Sequence, residues 1–107
     1  MRTIEFDIEF SPRPAGRYPD DGEFNATRFR EELLRPALDE HGKVVIYIDR
    51  VESFSSAFLE EAFGGLVSKG YFTAKELRER LIIKFNDEVA LYVYLIWKYI
   101  NNAKIKE

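Results

Sequence analysis

The sequence predicts an α/β sandwich, a mostly parallel or mixed sheet of about four strands carrying helices. Two observations point there. Strand-like and helix-like segments alternate along the chain, which argues for parallel pairing through right-handed crossovers. Val44-Val45-Ile46-Tyr47-Ile48 is a continuous run rich in β-branched residues, the mark of a central strand covered on both faces. With 107 residues the chain is expected to form a single domain, 1–107, burying roughly 65% of its unfolded surface.

Ile4, Phe6, Ile8 and Phe10 alternate with Glu5, Asp7 and Glu9, a period of two that predicts a half-buried strand. Residues 11–26 follow with Pro12, Pro14, Pro19, Gly16 and Gly22; either Gly16-Arg17-Tyr18 pairs back as a short second strand or this is a functional loop. Phe29, Leu33, Leu34, Ala37 and Leu38 predict an amphipathic helix over about 27–39, with Arg28, Arg30, Glu31, Glu32 and Arg35 on its polar side and a kink or early stop at Pro36. His41-Gly42 closes it. After strand 44–48, Phe58, Leu59, Ala62, Phe63, Leu66 and Val67 mark a second helix ended by Gly70. Gly64 and Gly65 inside it each cost about 1 kcal/mol against alanine, tolerable where another backbone passes close. Thr73 and Glu76 have capping-box spacing and open a short helix to about Arg80. Leu81–Phe85 reads as a strand, Asn86-Asp87 as a cap, and Glu88 to about Lys104 as the last helix.

Composition limits the chemistry. The chain has no cysteine and one histidine, so disulfides, thiolate metal sites and cysteine nucleophiles are excluded, and a serine–histidine relay would have to use His41. No catalytic, cofactor-binding or metal residue is assigned, and a non-enzyme is expected. Sixteen basic against 19 acidic residues, interspersed, give a net charge of −3 and no basic stripe for nucleic acid. The alternating N-terminus cannot form a signal-peptide core, and the apolar stretch Val89–Trp97 falls short of the ~20 residues of a membrane span, so a cytoplasmic chain is expected.

Four groups of side chains are candidates for function. Ser53, Ser55 and Ser56 lie between a buried strand and a helix, where ligands gather in open α/β sheets; one of them is read as the helix cap, and Ser56 and Ser55 are the candidate phosphoacceptors. Phe54, Phe58, Glu60 and Glu61 beside them form, with Ser53, a candidate partner surface. Asp20, Asp21 and Glu23 lie on one loop, without EF-hand spacing, and read as a solvated turn; Arg13 and Arg17 on the same loop could hold an anion. Tyr92, Tyr94, Trp97 and Tyr99 crowd the last helix, whose apolar residues cover more than one face, and are candidates for self-association or a partner groove.

The segment Thr27–Val67, and above all Ser55-Ser-Ala-Phe-Leu-Glu-Glu-Ala-Phe-Gly-Gly-Leu66, resembles the prokaryotic STAS-like domain family of unknown function, itself similar to the anti-sigma factor antagonists. The resemblance implies a sheet flanked by helices with a regulatory serine at a strand-to-helix turn. Aligning the buried strands without gaps brings the antagonists' D-S-S-G motif onto Ser55-Ser56-Ala57-Phe58 and their phosphorylated serine onto Ser56. Serine stands for the motif's aspartate here, and phenylalanine for its glycine. A GHKL-type serine kinase is the partner implied. The reading that follows is a regulatory protein-interaction domain. The alternatives are a small-ligand or nucleotide sensor using the 11–26 loop, and a homodimerisation module.

Overall fold

A computed structural model describes residues 1–105. It has three parallel strands, β1 (Arg2–Glu5), β2 (Val44–Tyr47) and β3 (Leu81–Lys84), in the order β1-β2-β3. Ile4, Ile46 and Ile83 stand in one row across the sheet and are buried. On the opposite face Thr3, Glu5, Tyr47, Ile82 and Lys84 are exposed, and only Val45 is covered. β2 is therefore central but not covered on both faces. When strand order follows chain order, crossovers of one hand all fall on the same side; helices reach the second face only where the order reverses.

The sheet has three strands rather than about four. β1 stops at Glu5, and Phe6–Glu9 makes one helical turn, α1, where a strand to Phe10 was expected. Glu9 explains the switch: its carboxylate accepts the Glu5 N–H at 2.8 Å and pairs with Arg2, occupying a backbone donor on the strand's free edge. The apolar alternation survives as helical neighbours, Phe6 and Phe10 meeting edge-on at 5.5 Å, while Ile8 turns to solvent. Gly16-Arg17-Tyr18 forms no strand. The Asp21 carboxylate accepts the backbone N–H groups of Arg17 and Tyr18 and folds them over a 3₁₀ turn at Pro19–Asp21.

Helix α2 spans 26–40 and is capped by Asn25, whose side chain accepts from Arg28 N–H at 2.9 Å. It does not stop at Pro36. The stretch Phe29–Leu34 is π-helical, with Arg35 N–H reaching back five residues to the Arg30 carbonyl, and the wider turn accommodates the proline ring. Helix α3 spans 56–68, is π-helical over Glu60–Gly64, and is followed by Gly70 at φ 77°. Thr73 and Glu76 form the expected capping box for α4 (Ala74–Arg80). Asn86 caps the 3₁₀ turn leading into α5 (Ala90–Asn102).

Arg30 departs most from expectation. Its side chain is 1% exposed rather than on the polar side of α2. It stands four residues after Ala26 and four before Leu34, both fully buried. Its Nη1 donates to the Glu61 carboxylate at 2.7 Å and to the Glu61 carbonyl, and its Nε donates to Glu31 at 2.7 Å. Gly65 makes room for it: a Cβ there would lie 2.5 Å from Nη1. Gly64 serves the neighbouring contact, its Cβ position being 3.4 Å from the Tyr99 carbonyl of α5. The approach of another backbone that the sequence suggested is met at Gly64 alone; Gly65 makes way for a side chain instead.

Burial is the largest influence on the Glu31 carboxyl and pushes it up. The hydrogen bond and charge of Arg30, with hydrogen bonds from Tyr71 and Arg35, outweigh it and hold the group below the ordinary carboxylate range. Such a group stabilises the fold above the unfolded chain's pKa and loses that contribution as pH falls through its lower folded value. Glu31→Gln is expected to be less stable than wild type at pH 7, with the gap narrowing below about pH 4; urea midpoints at pH 7 and pH 3.5 check this. Gly65→Ala is expected to lose about 1–2 kcal/mol, overpacking exceeding the gain in helix propensity. Gly42→Ala, with open space at its Cβ position, should stay within about 0.5 kcal/mol of wild type in the same urea titration.

Candidate functional site

The serines follow the carboxyl end of the central strand. The chain leaving β2 is held at several points: Ile48 N–H donates to the Lys84 carbonyl at 3.0 Å, Glu52 N–H to the Pro12 carbonyl at 2.9 Å, and Asn86 Nδ2 to the Asp49 carbonyl at 3.2 Å. Arg13 pairs with Glu52 at 2.6 Å. Phe54 then anchors the turn inside the core, its ring 5.1 Å from Phe6, 5.8 Å from Phe58 and 5.3 Å from Tyr92.

The two adjacent serines at the helix start differ in what they do. Ser55 is the N-cap, in extended conformation, and its Oγ accepts the Phe58 N–H at 3.0 Å. Ser56 is the first helical residue, exposed, with no hydrogen bond to its hydroxyl among the described residues. Ser53 is exposed as well.

The partner surface read from the sequence needs correction at two positions. Phe54 and Phe58 are 7% and 0% exposed, because turn and helix both direct them at Phe6 beneath the sheet's end. Glu60 is exposed, and Glu61 is half-buried and held by Arg30. Along α5, Ile96 and Ile100 are buried and Tyr92, Trp97 and Tyr99 are half-buried against the core, so much of the broad apolar surface is spent within the chain. Leu91 and Tyr94 remain exposed.

Near the last turn of α5 a cleft of about 260 Å³ opens against α3. Arg17, Glu60, Glu61, Tyr99, Asn102 and Lys104 are among the residues around it. Arg17, brought in by the 11–26 loop, pairs with Glu60 at 2.9 Å and lies 3.8 Å from Glu61. Sequence spacing could not find this site, because it depends on how two helices separated by 21 residues, 69–89, approach. The loop acids do not converge: among the described residues no group of three or more His, Asp or Glu side chains is placed to hold a metal ion. Arg80 satisfies the end of α2, donating to the carbonyls of Leu38, His41 and Gly42. No helix among the described residues is long and apolar enough to cross a membrane.

A family model described as a STAS-like domain of unknown function matches residues 25–89, from the cap of α2 to the turn before α5. No curated protein and no solved structure matches the chain.

Proposed function

Because the chain belongs to the family of STAS-like domains of unknown function, we propose that it is a non-enzymatic regulatory domain. It binds a protein partner through the exposed surface around Ser53–Glu61 and is switched by phosphorylation of Ser56. The observation that carries this reading is the division between the two serines: Ser55 Oγ is committed to the Phe58 N–H, while Ser56 Oγ faces solvent at the start of α3. A phosphate on Ser56 would meet the helix dipole and adds roughly −1.5 to −2 charges. Glu52 and Glu60 are exposed close by in the chain, so the local potential changes strongly while the cap stays in place. The similarity to the anti-sigma factor antagonists implies a GHKL-type serine kinase as partner.

Incubation with such a kinase and ATP should add one phosphate by intact mass, lost in Ser56→Ala and retained in Ser55→Ala. The second variant should also lose about 1 kcal/mol of stability with its cap. No mass gain, together with undiminished partner binding by Ser56→Asp, would sink the switch.

A second reading, a sensor for a small ligand or nucleotide, is favoured by the cleft and by Arg17, which the 11–26 loop places there. It predicts thermal stabilisation by some member of a nucleotide and metabolite panel, about 2.7 kcal/mol at 100 times the dissociation constant, reduced in Arg17→Ala. A flat response across the panel removes it.

A further inference from the structure

Parallel sheets are almost always covered on both faces, and one face of this sheet is open. The register sets out its side chains in two rows. Thr3, Val45 and Ile82 form one, and Glu5, Tyr47 and Lys84 the other, so the second row runs from an acid on one edge strand, through an aromatic ring, to a base on the other edge strand. Tyr47 is 39% and Ile82 37% exposed.

We propose that this face is covered by a second copy of the same chain, related by a two-fold axis running along the strands. Such an axis exchanges the edges of the sheet while keeping strand direction. It therefore lays Glu5 over Lys84 of the second copy and Lys84 over its Glu5, with Tyr47 meeting Tyr47 on the axis and Val45 meeting Val45. A two-fold axis across the strands would instead set each row over the other, Glu5 over Thr3 and Lys84 over Ile82, leaving both charges against neutral side chains. Either axis leaves the strands of the two sheets aligned, as face-to-face sheets pack; the charge pattern selects the first. Complementary charges fix the orientation more than they add affinity, and Tyr47 and Ile82 supply most of the apolar contact.

The face is small. Three strands about 4.8 Å apart and four residues long give roughly 200 Å² of sheet, against ~800 Å² per partner in a standard interface. The dimer is accordingly expected at the weak, transient end of protein–protein contacts. It leaves the serine turn uncovered, since Ser55 and Ser56 follow the sheet rather than lie on its open face, and it stands whether or not Ser56 is modified.

Sedimentation equilibrium from 10 µM to 1 mM tests it, with circular dichroism confirming that each variant folds. Glu5→Lys and Lys84→Glu, each alone, set like charges over like charges and are expected to weaken self-association at least about tenfold. The two variants mixed at equal concentration set opposite charges over each other and should associate as wild type does. The double variant Glu5→Lys/Lys84→Glu should also associate as wild type does. A wild-type chain monomeric up to 1 mM overturns the proposal. So does a dimer unchanged by either substitution, or one lost instead with Tyr94→Glu, which would place the interface on α5.

Discussion

The ion pair between Arg30 and Glu61 is the constraint on which the helical layer depends. The sheet order puts both crossover helices, α2 and α3, on one face, so they must pack side by side. At their contact lies a guanidinium removed from water, which is costly unless its donors are engaged. Nη1 meets both the carboxylate and the carbonyl of Glu61, and Nε meets Glu31. The chain distorts to make this fit. Each helix widens into a π turn at the pair, Phe29–Leu34 around Arg30 and Glu60–Gly64 around Glu61, and Gly65 withholds the side chain that would strike the guanidinium. Apolar side chains could bind the helices as strongly; the pair ties one carbonyl to one guanidinium and so sets the rotation and register of α3 on α2.

That register carries over to the start of α3. From the π turn, helical geometry places Phe58 and Leu59 in the core, and Phe58 joins a cluster in which Phe6 lies 4.6 Å from Phe29 and 5.1 Å from Phe54. Aromatic pairs of this kind add about 0.5–1.5 kcal/mol beyond the area they bury. With Phe54 and Phe58 both directed inward, the two serines between them can only be at the surface. Exposure of the serine turn is thus a consequence of the aromatic core on either side of it.

Elements whose signals are local were legible in the sequence. Thr73 and Glu76 cap through neighbouring backbone groups, Asn86 likewise, and Gly70 takes the positive φ that ends a helix. The β-branched run Val44–Tyr47 formed the middle strand for the same reason. What was missed depends either on a partner remote in sequence, as Arg30 on Glu61, or on which of several local bonds forms. The alternation of Ile4, Phe6, Ile8 and Phe10 fits a strand, and nothing local reports that Glu9 will fold back on Arg2 and Glu5. Burial of Arg30 left a faint trace, its spacing of four from Ala26 and Leu34, outweighed by the convention that arginine faces water. Ser55 and Ser56 were placed correctly between strand and helix, but which one caps is decided by a single bond to Phe58 N–H. Phe54 and Phe58 fail as surface residues because nearness to the serines in the chain does not decide which way a side chain faces, and Phe58 belongs to the apolar stripe of its helix.

Rigidity at α3 bears on how any switch at its start could work. The helix is held in its middle by Arg30, packed closely along α5 at Gly64, and capped at its start by Ser55. A charge added at Ser56 does not compete for any of these contacts, so it has no packed element to displace. Its effect would be confined to the potential outside the turn, where Glu52 and Glu60 already lie, and would be read by a partner that touches this surface. A charge added at Ser55 would act on the bond that starts the helix and would couple to stability as well. Two neighbouring hydroxyls therefore separate two kinds of response, one electrostatic and one structural, and only the first leaves the fold of the domain as it is.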